Sequence, residues 1–237
     1  MSGFLYGVAL QWKLDIRSKS LLITCYIVPL LFFVIMGGIF TSIIPETKYT
    51  LIQSMTVLGV STGALLGLPP SLVEIYGSDI KKVYKANGVP LYLGLVSMFL
   101  SAFIHLLIMS AIIYLVAPIA FDATLPASLP LYFGSLAIFI VVSLSIGSVL
   151  GLSIKNQAKL TMISQVIFLP SIMLSGIMFS VDLLPQIFEI VGKLFPATWG
   201  YKLMMDEGFC FGNMCPLVTI FLAAAILCGF ILKRLQS

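Results

Sequence analysis

Six stretches of this sequence are each long and apolar enough to cross a lipid bilayer, and no other feature constrains the fold so strongly. They run roughly over residues 20–43, 51–73, 90–117, 129–154, 160–181 and 214–232. A helix needs about 20 mostly apolar residues to pass the hydrocarbon core. Composition points the same way, with 60% hydrophobic residues and 9% charged, where a water-soluble domain carries about 25% charged. A mean hydropathy of +1.13 leaves lipid as the solvent. Little remains for a soluble domain, so 1–237 reads as a single all-α membrane domain with six transmembrane helices. No internal repeat is visible, which argues against an inverted-repeat transporter plan.

Lys13, Asp15, Arg17 and Lys19 stand directly before the first apolar run. A cleavable signal would need an uninterrupted apolar core and a small-residue cleavage site. Residues 1–19 therefore read as a loosely amphipathic interfacial helix, with Trp12 near the headgroups. Ten basic residues fall on the face that holds the N-terminus (Lys13, Arg17, Lys19, Lys81, Lys82, Lys85, Lys155, Lys159, Lys233 and Arg234). The other face has Lys48, Lys193 and Lys202. By the positive-inside rule both termini are expected in the cytoplasm. The net charge of +4 follows from attraction to the anionic inner leaflet and calls for no nucleic-acid partner.

Cys25 and Cys228 fall inside spans and read as packing residues. Cys210 and Cys215 share a short outer segment, where either a disulfide or two free thiols is open. Gly59, Gly63 and Gly67 recur every four residues in the second span, and Gly147 and Gly151 repeat the interval in the fourth. Small residues at this spacing let helices approach closely in lipid. Packing within the chain is the expectation for the fourth span. For the second, that reading and a seam between two copies stay open. Pro69 and Pro70 are expected to break the second span, and Pro29 and Pro170 to bend the first and fifth.

The polar island "EIYGSDIKKVYKANGVP", residues 74–90, interrupts this apolar chain. Tyr76, Ile80, Val83 and Tyr84 recur at helical spacing on one face, and Lys81, Lys82 and Lys85 occupy the other. Ser78 is placed to cap the start, Gly88 to close the end, and Pro90 to stop continuation. The pattern predicts a short amphipathic helix on the cytoplasmic face. A second irregular element, 182–208, predicts two short outer helices. One starts at Asp182 and Pro185, with Ile187, Phe188, Val191 and Leu194 on its apolar side. Pro196 ends it, and Thr198 caps a further turn through Met205. Neither piece can span a bilayer at about 1.5 Å per residue, so they are expected to lie in the interface or re-enter the bundle.

Several chemistries are missing. His105 is the only ionisable side chain deep in a span, and a hydrogen bond to a neighbouring helix is its expected role. No intramembrane carboxylate offers an ion relay, no nucleophile stands with a base, and no metal-ligand cluster is present. No phosphate-binding loop of the form G-x-x-x-x-G-K-[ST] occurs. Catalytic and metal sites are thus expected to be absent, and a transport role would draw its energy from another subunit.

The stretch from Leu72 to Gly94 resembles the coupling segment of type-2 ATP-binding-cassette (ABC) exporter permeases. That segment runs from an acid through a small residue, a short helix with two basic residues, and an Asn or Thr to a Val-Pro pair. Glu74, Ser78, Lys81, Lys82, Asn87 and Pro90 match it. Residues 169–204 resemble the family's other hallmark, a fifth span ending in small residues before two short outer helices with a Pro-Ala-Thr-aromatic turn. Where the family often has Arg beside the acid, this chain has Ile75 after Glu74, which removes the ion pair such an Arg would make.

The resemblance implies an exporter permease of a bacterial cytoplasmic membrane that acts as a pair, with a second copy or a sister subunit, above two cytosolic ATPases. ATP and Mg would be bound by those ATPases, and no cofactor by this chain. Coupling would rest on Glu74, Tyr76, Ser78, Ile80, Lys81, Lys82, Val83, Tyr84, Lys85 and Asn87. A hydrophobic or amphipathic cargo would pass between the second and fifth spans, with Leu58 and Leu65 facing Phe168, Met173 and Leu174. The alternative from another class is a non-transporting immunity or sensor protein that binds a peptide or a signalling partner.

Overall fold

The computed structural model describes residues 2–77, 90–178, 184–206 and 210–236. Among them every regular element is helical. Helix α1 (Ser2–Arg17) precedes a bundle of α2 (Ile23–Ile43), α3 (Leu51–Gly77), α4 (Leu91–Phe121) and α5 (Leu129–Ser153). It continues through α6 (Gln157–Met173), α7 (Gln186–Gly192), α8 (Pro196–Met205) and α9 (Phe211–Gln236). Five helices, α2, α3, α4, α5 and α9, are long and apolar enough to cross a membrane. The stretch expected as the fifth of six spans is shorter. Helix α6 stops at Met173, and Leu174–Gly176 turn away from its axis. Seventeen residues rise about 25 Å, short of a hydrocarbon core about 30 Å thick.

Helix α3 is the post around which the others stand. Of its most apolar stretch 94% is buried, against 17% for α9. The glycines explain the close packing. A Cβ added at Gly147 would strike the Ala64 carbonyl oxygen of α3, and one at Gly151 would meet Leu72 and the Pro69 carbonyl. Gly59 faces Met109 of α4, Gly63 faces Leu106, and Gly67 faces Cys25 of α2. All five therefore seat neighbouring helices of the same chain. Near the start of each helix, Thr56 of α3 and Tyr132 of α5 share a buried hydrogen bond of 2.8 Å.

The proline pair behaves differently from the sequence expectation. Helix α3 does not break at Pro69 and Pro70 but runs on to Gly77. The chain widens into a π turn over Gly63–Gly67, and the prolines then occupy the first turn of the next α segment. Proline is accepted there because its missing N–H is not needed. A similar π turn over Ile23–Ile27 precedes Pro29 in α2.

On the face expected to be outer, Lys48 reaches Asp122 at 3.5 Å, and the Thr124 N–H donates to the Lys48 carbonyl. Pro196 opens helix α8 rather than closing α7, which already ends at Gly192. Thr198 lies inside α8, where its hydroxyl donates to the Gly192 carbonyl at 2.6 Å and folds the two helices together. Helix α8 is sunk against α5, with Gly200 packed on the Phe139 ring and Ser135 donating to the Leu203 carbonyl. Helix α7 instead exposes Ile187, Phe188, Ile190 and Leu194. The Lys193–Glu189 pair at 2.8 Å holds the exposed Glu189 carboxyl below its usual range, chiefly by hydrogen bonding.

Candidate functional site

The polar island begins and ends at a clamp. Tyr76, buried in the last turn of α3, donates its hydroxyl to the carbonyl of Leu91 in the first turn of α4, at 2.6 Å. The last turn of α3 and the first turn of α4 are thereby tied together at the two ends of the island. Glu74 is exposed two residues earlier, and Ile75 is half-buried. Ser78, Ile80, Lys81, Lys82, Val83, Tyr84, Lys85 and Asn87, and with them the expected coupling helix, lie outside the described residues.

The residues expected along a substrate path differ in their exposure within the single chain. Leu58 and Leu65 are sealed in the core of α3. Phe168 is half-buried against that core, Met173 is exposed at the end of α6, and Leu174 follows it in the turn that receives Gly192. An open groove of about 200 Å³ does lie between α2, α3 and α6, one helical step away. Thr24 and Val28 of α2 form one wall, Thr62, Leu66 and Pro70 of α3 the floor, and Leu160, Thr161, Ser164 and Gln165 of α6 the other wall. The sequence held a signal for it. Thr62, Leu66 and Pro70 follow each other at intervals of four on one side of α3, whereas Leu58 and Leu65 are the positions the family resemblance implies.

A second polar site contains the hydrogen bond expected of His105 to a neighbouring helix, but the part played by Asp15 was not foreseen. Asp15 of α1 is only 6% exposed. Its carboxylate accepts from the Gln11 amide at 2.8 Å and from the hydroxyl of Ser101 on α4. One turn further along α4, His105 lies flat against Trp12, with ring centroids 4.2 Å apart, and its Nδ1 shares a 2.7 Å hydrogen bond with the Tyr26 hydroxyl of α2. Trp12 thus packs on His105 of α4. Along helix α1, Asp15 is buried and Gln11 half-buried, while Leu10, Lys13, Leu14 and Arg17 are exposed. Burial pushes the Asp15 carboxyl above its ordinary range, although the two hydrogen bonds oppose the shift. Chemically the cluster is a clasp, since it joins α1, α2 and α4 without a nucleophile–base pair.

All four cysteines are free thiols. Cys210 stands just before α9 and Cys215 inside it. Five residues along a helix rotate a side chain about 140° past its starting face, so a bridge would require the first turn of α9 to unwind. Among the described residues no group of His, Cys, Asp and Glu is placed to hold a metal.

A family model described as ABC-2 type transporter matches residues 4–207. The chain belongs to the ABC-2 type transporter family. No curated protein matches it significantly. Membership makes this ABC-2 chain a membrane-embedded permease subunit of an ABC transporter, a multi-pass transport component distinct from the ATPase. The match covers α1 through α8, so the clamp, the groove and the Asp15 clasp all lie within the family's shared region.

Proposed function

We propose that this ABC-2 permease is the membrane subunit of an ATP-driven exporter of hydrophobic or amphipathic molecules. It works as one of a pair of permease subunits above two cytosolic ATPases, which bind the ATP and Mg. The Tyr76–Leu91 clamp carries this reading. A partner that pushes on residues 78–87 acts through that clamp on α3 and α4 together. Helix α3 is buried against α2, α4, α5, α6 and α8, so its displacement must move the bundle. The expected apolar face of Tyr76, Ile80, Val83 and Tyr84 supplies the anchor, as buried aromatic and aliphatic groups do at interfaces. Lys81, Lys82 and Lys85 orient an acidic partner, since exposed ion pairs contribute about 0–1 kcal/mol each. The ten-to-three basic asymmetry supports a cytoplasmic side for the island and both termini.

Co-purification of the partner ATPase with the Ile80→Asp/Val83→Asp double variant tests the reading. Binding and transport are expected to be lost while the thermal midpoint of the permease stays in place. Undiminished binding and transport would overturn the coupling role.

A further inference from the structure

The groove between α2, α3 and α6 has a chemical character that identifies the class of molecule it accepts. Ser164 is 2% exposed, and its hydroxyl has no hydrogen-bond partner. A buried hydroxyl without a partner is unfavourable, and this one belongs to the groove wall. Thr62 and Thr161 donate their hydroxyl protons to carbonyls of their own helices, Leu58 at 2.8 Å and Gln157 at 3.0 Å. Each therefore turns only oxygen lone pairs toward a ligand. Pro70, in the floor, lacks the N–H that would close an α-helical bond to the Leu66 carbonyl. The exposed Gln165 amide adds both a donor and an acceptor. None of the nine lining residues is ionisable.

We infer that the groove binds the uncharged, hydrogen-bonding head of an amphiphile drawn from the bilayer, an amide or hydroxyl group with both donor and acceptor atoms. This rests on the permease reading above and adds the chemistry of its cargo. A charged head would find no counter-charge among the nine lining residues, whereas a bare hydrocarbon would leave Ser164 unpaired. The volume of about 200 Å³ takes a head group and a few methylenes. The remaining chain lies along α6, where Met162, Val166, Leu169 and Met173 form an exposed apolar stripe at helical spacing. Ser164 is the specificity-determining residue.

The test uses three probes with one hydrocarbon chain, oleamide, oleate and oleylamine, bound to the full-length protein in nanodiscs without ATPase. Oleamide is expected to bind saturably and the two charged probes at least about tenfold more weakly. Ser164→Ala should weaken oleamide by about three- to tenfold, the worth of one hydrogen bond, and leave the charged probes where they were. Leu66→Trp, which fills the groove while leaving the Ser164 side chain unchanged, should abolish oleamide binding in a protein whose thermal midpoint is retained. Equal binding of the three probes, or oleamide binding indifferent to both substitutions, overturns the inference. Because no ATPase is present, failure here leaves the coupling experiment intact. Conversely, oleamide selectivity in a chain that recruits no ATPase would sink the exporter reading alone.

Discussion

Helices α3 and α9 are both apolar enough to span a membrane, with α9 the more hydrophobic, yet they occupy opposite environments. Helix α3 has 94% of its most apolar stretch inside the protein and α9 has 17%. In water hydrophobicity would decide which helix goes to the centre, but in lipid it cannot, because tails solvate leucine as well as a core does. What separates the two is polarity and shape. Helix α3 carries Gln53, Ser54, Thr56, Ser61 and Thr62, all buried, and glycines that admit its neighbours. Helix α9 turns Leu222, Ile226, Leu227 and Phe230 to the outside and packs on α5 along its other side, with Leu217 in one cluster with Val142 and the Cys228 thiol 4.0 Å from the Ser145 carbonyl. The more hydrophobic helix is the peripheral one.

The sharpest way to break this comparison is to add one methyl group on the α3 seam. Gly147→Ala places a Cβ against the Ala64 carbonyl, which is backbone and cannot swing aside. Helix α5 must then retreat from the post, at about 2–4 kcal/mol. A fall of the thermal midpoint in detergent is expected. An unchanged midpoint would mean that α3 and α5 are not in backbone contact.

Polar bonding can hold a peripheral helix just as firmly, and Asp15 tests that exception. Asp15→Ala leaves Ser101 and Gln11 without their acceptor and should loosen α1 by about 1–3 kcal/mol. Trp12 emission, read in a Trp199→Phe background, should shift as the ring leaves His105. Asp15→Asn keeps an acceptor and should retain the docked emission. The raised carboxyl gives the sign of the pH effect. Docking is stabilised fully below the ordinary carboxyl range and loses that contribution as pH rises through the raised value. Asp15→Asn should therefore flatten the dependence between acid and neutral pH, and a slope equal to that of the unmodified chain would refute the assignment.

How much of this was legible in the sequence follows from the same physics. Apolar runs identify spans because the bilayer demands length, so α2, α3, α4, α5 and α9 were visible. The end of α6 at Met173 was not, since "SIMLSG" stays apolar while the backbone turns, with Gly176 at a positive φ of 87°. Glycine spacing announced close packing but not the partner, and coordinates were needed to show Ala64 and Leu106 in those places. The Asp15 clasp was illegible for another reason. Its members lie 86 and 79 residues apart in the chain, Asp15 with Ser101 and Tyr26 with His105. Each alone reads as an interfacial charge or a solitary histidine.

Between the extremes, Gly63→Ala discriminates backbone from side-chain contact. Its Cβ would meet the terminal methyl of Leu106, the far end of a flexible side chain, and Cys25 Sγ at 3.4 Å. Leu106 can turn where the Ala64 carbonyl cannot, so about 1–2 kcal/mol is expected, below the loss at Gly147. Equal losses at both positions would show that side chains on the α3 seam are as unyielding as backbone.

The smallest effect belongs to α9 and carries the opposite sign. Gly229 has nothing within 4 Å of a Cβ built upon it, and it lies within the helix between the buried Cys228 and the exposed Phe230. An alanine there meets no protein atom and restricts the backbone of the competing unfolded forms. Helix propensity then favours the substitution by a few tenths to about 1 kcal/mol. Gly229→Ala should leave the thermal midpoint level or raise it slightly, in the same preparation where Gly147→Ala lowers it. A marked fall would mean that a surface outside this chain presses on α9 at Gly229. The peripheral helix would then be a seam with a second subunit, and the contrast with α3 would hold for the single chain but not for the assembly.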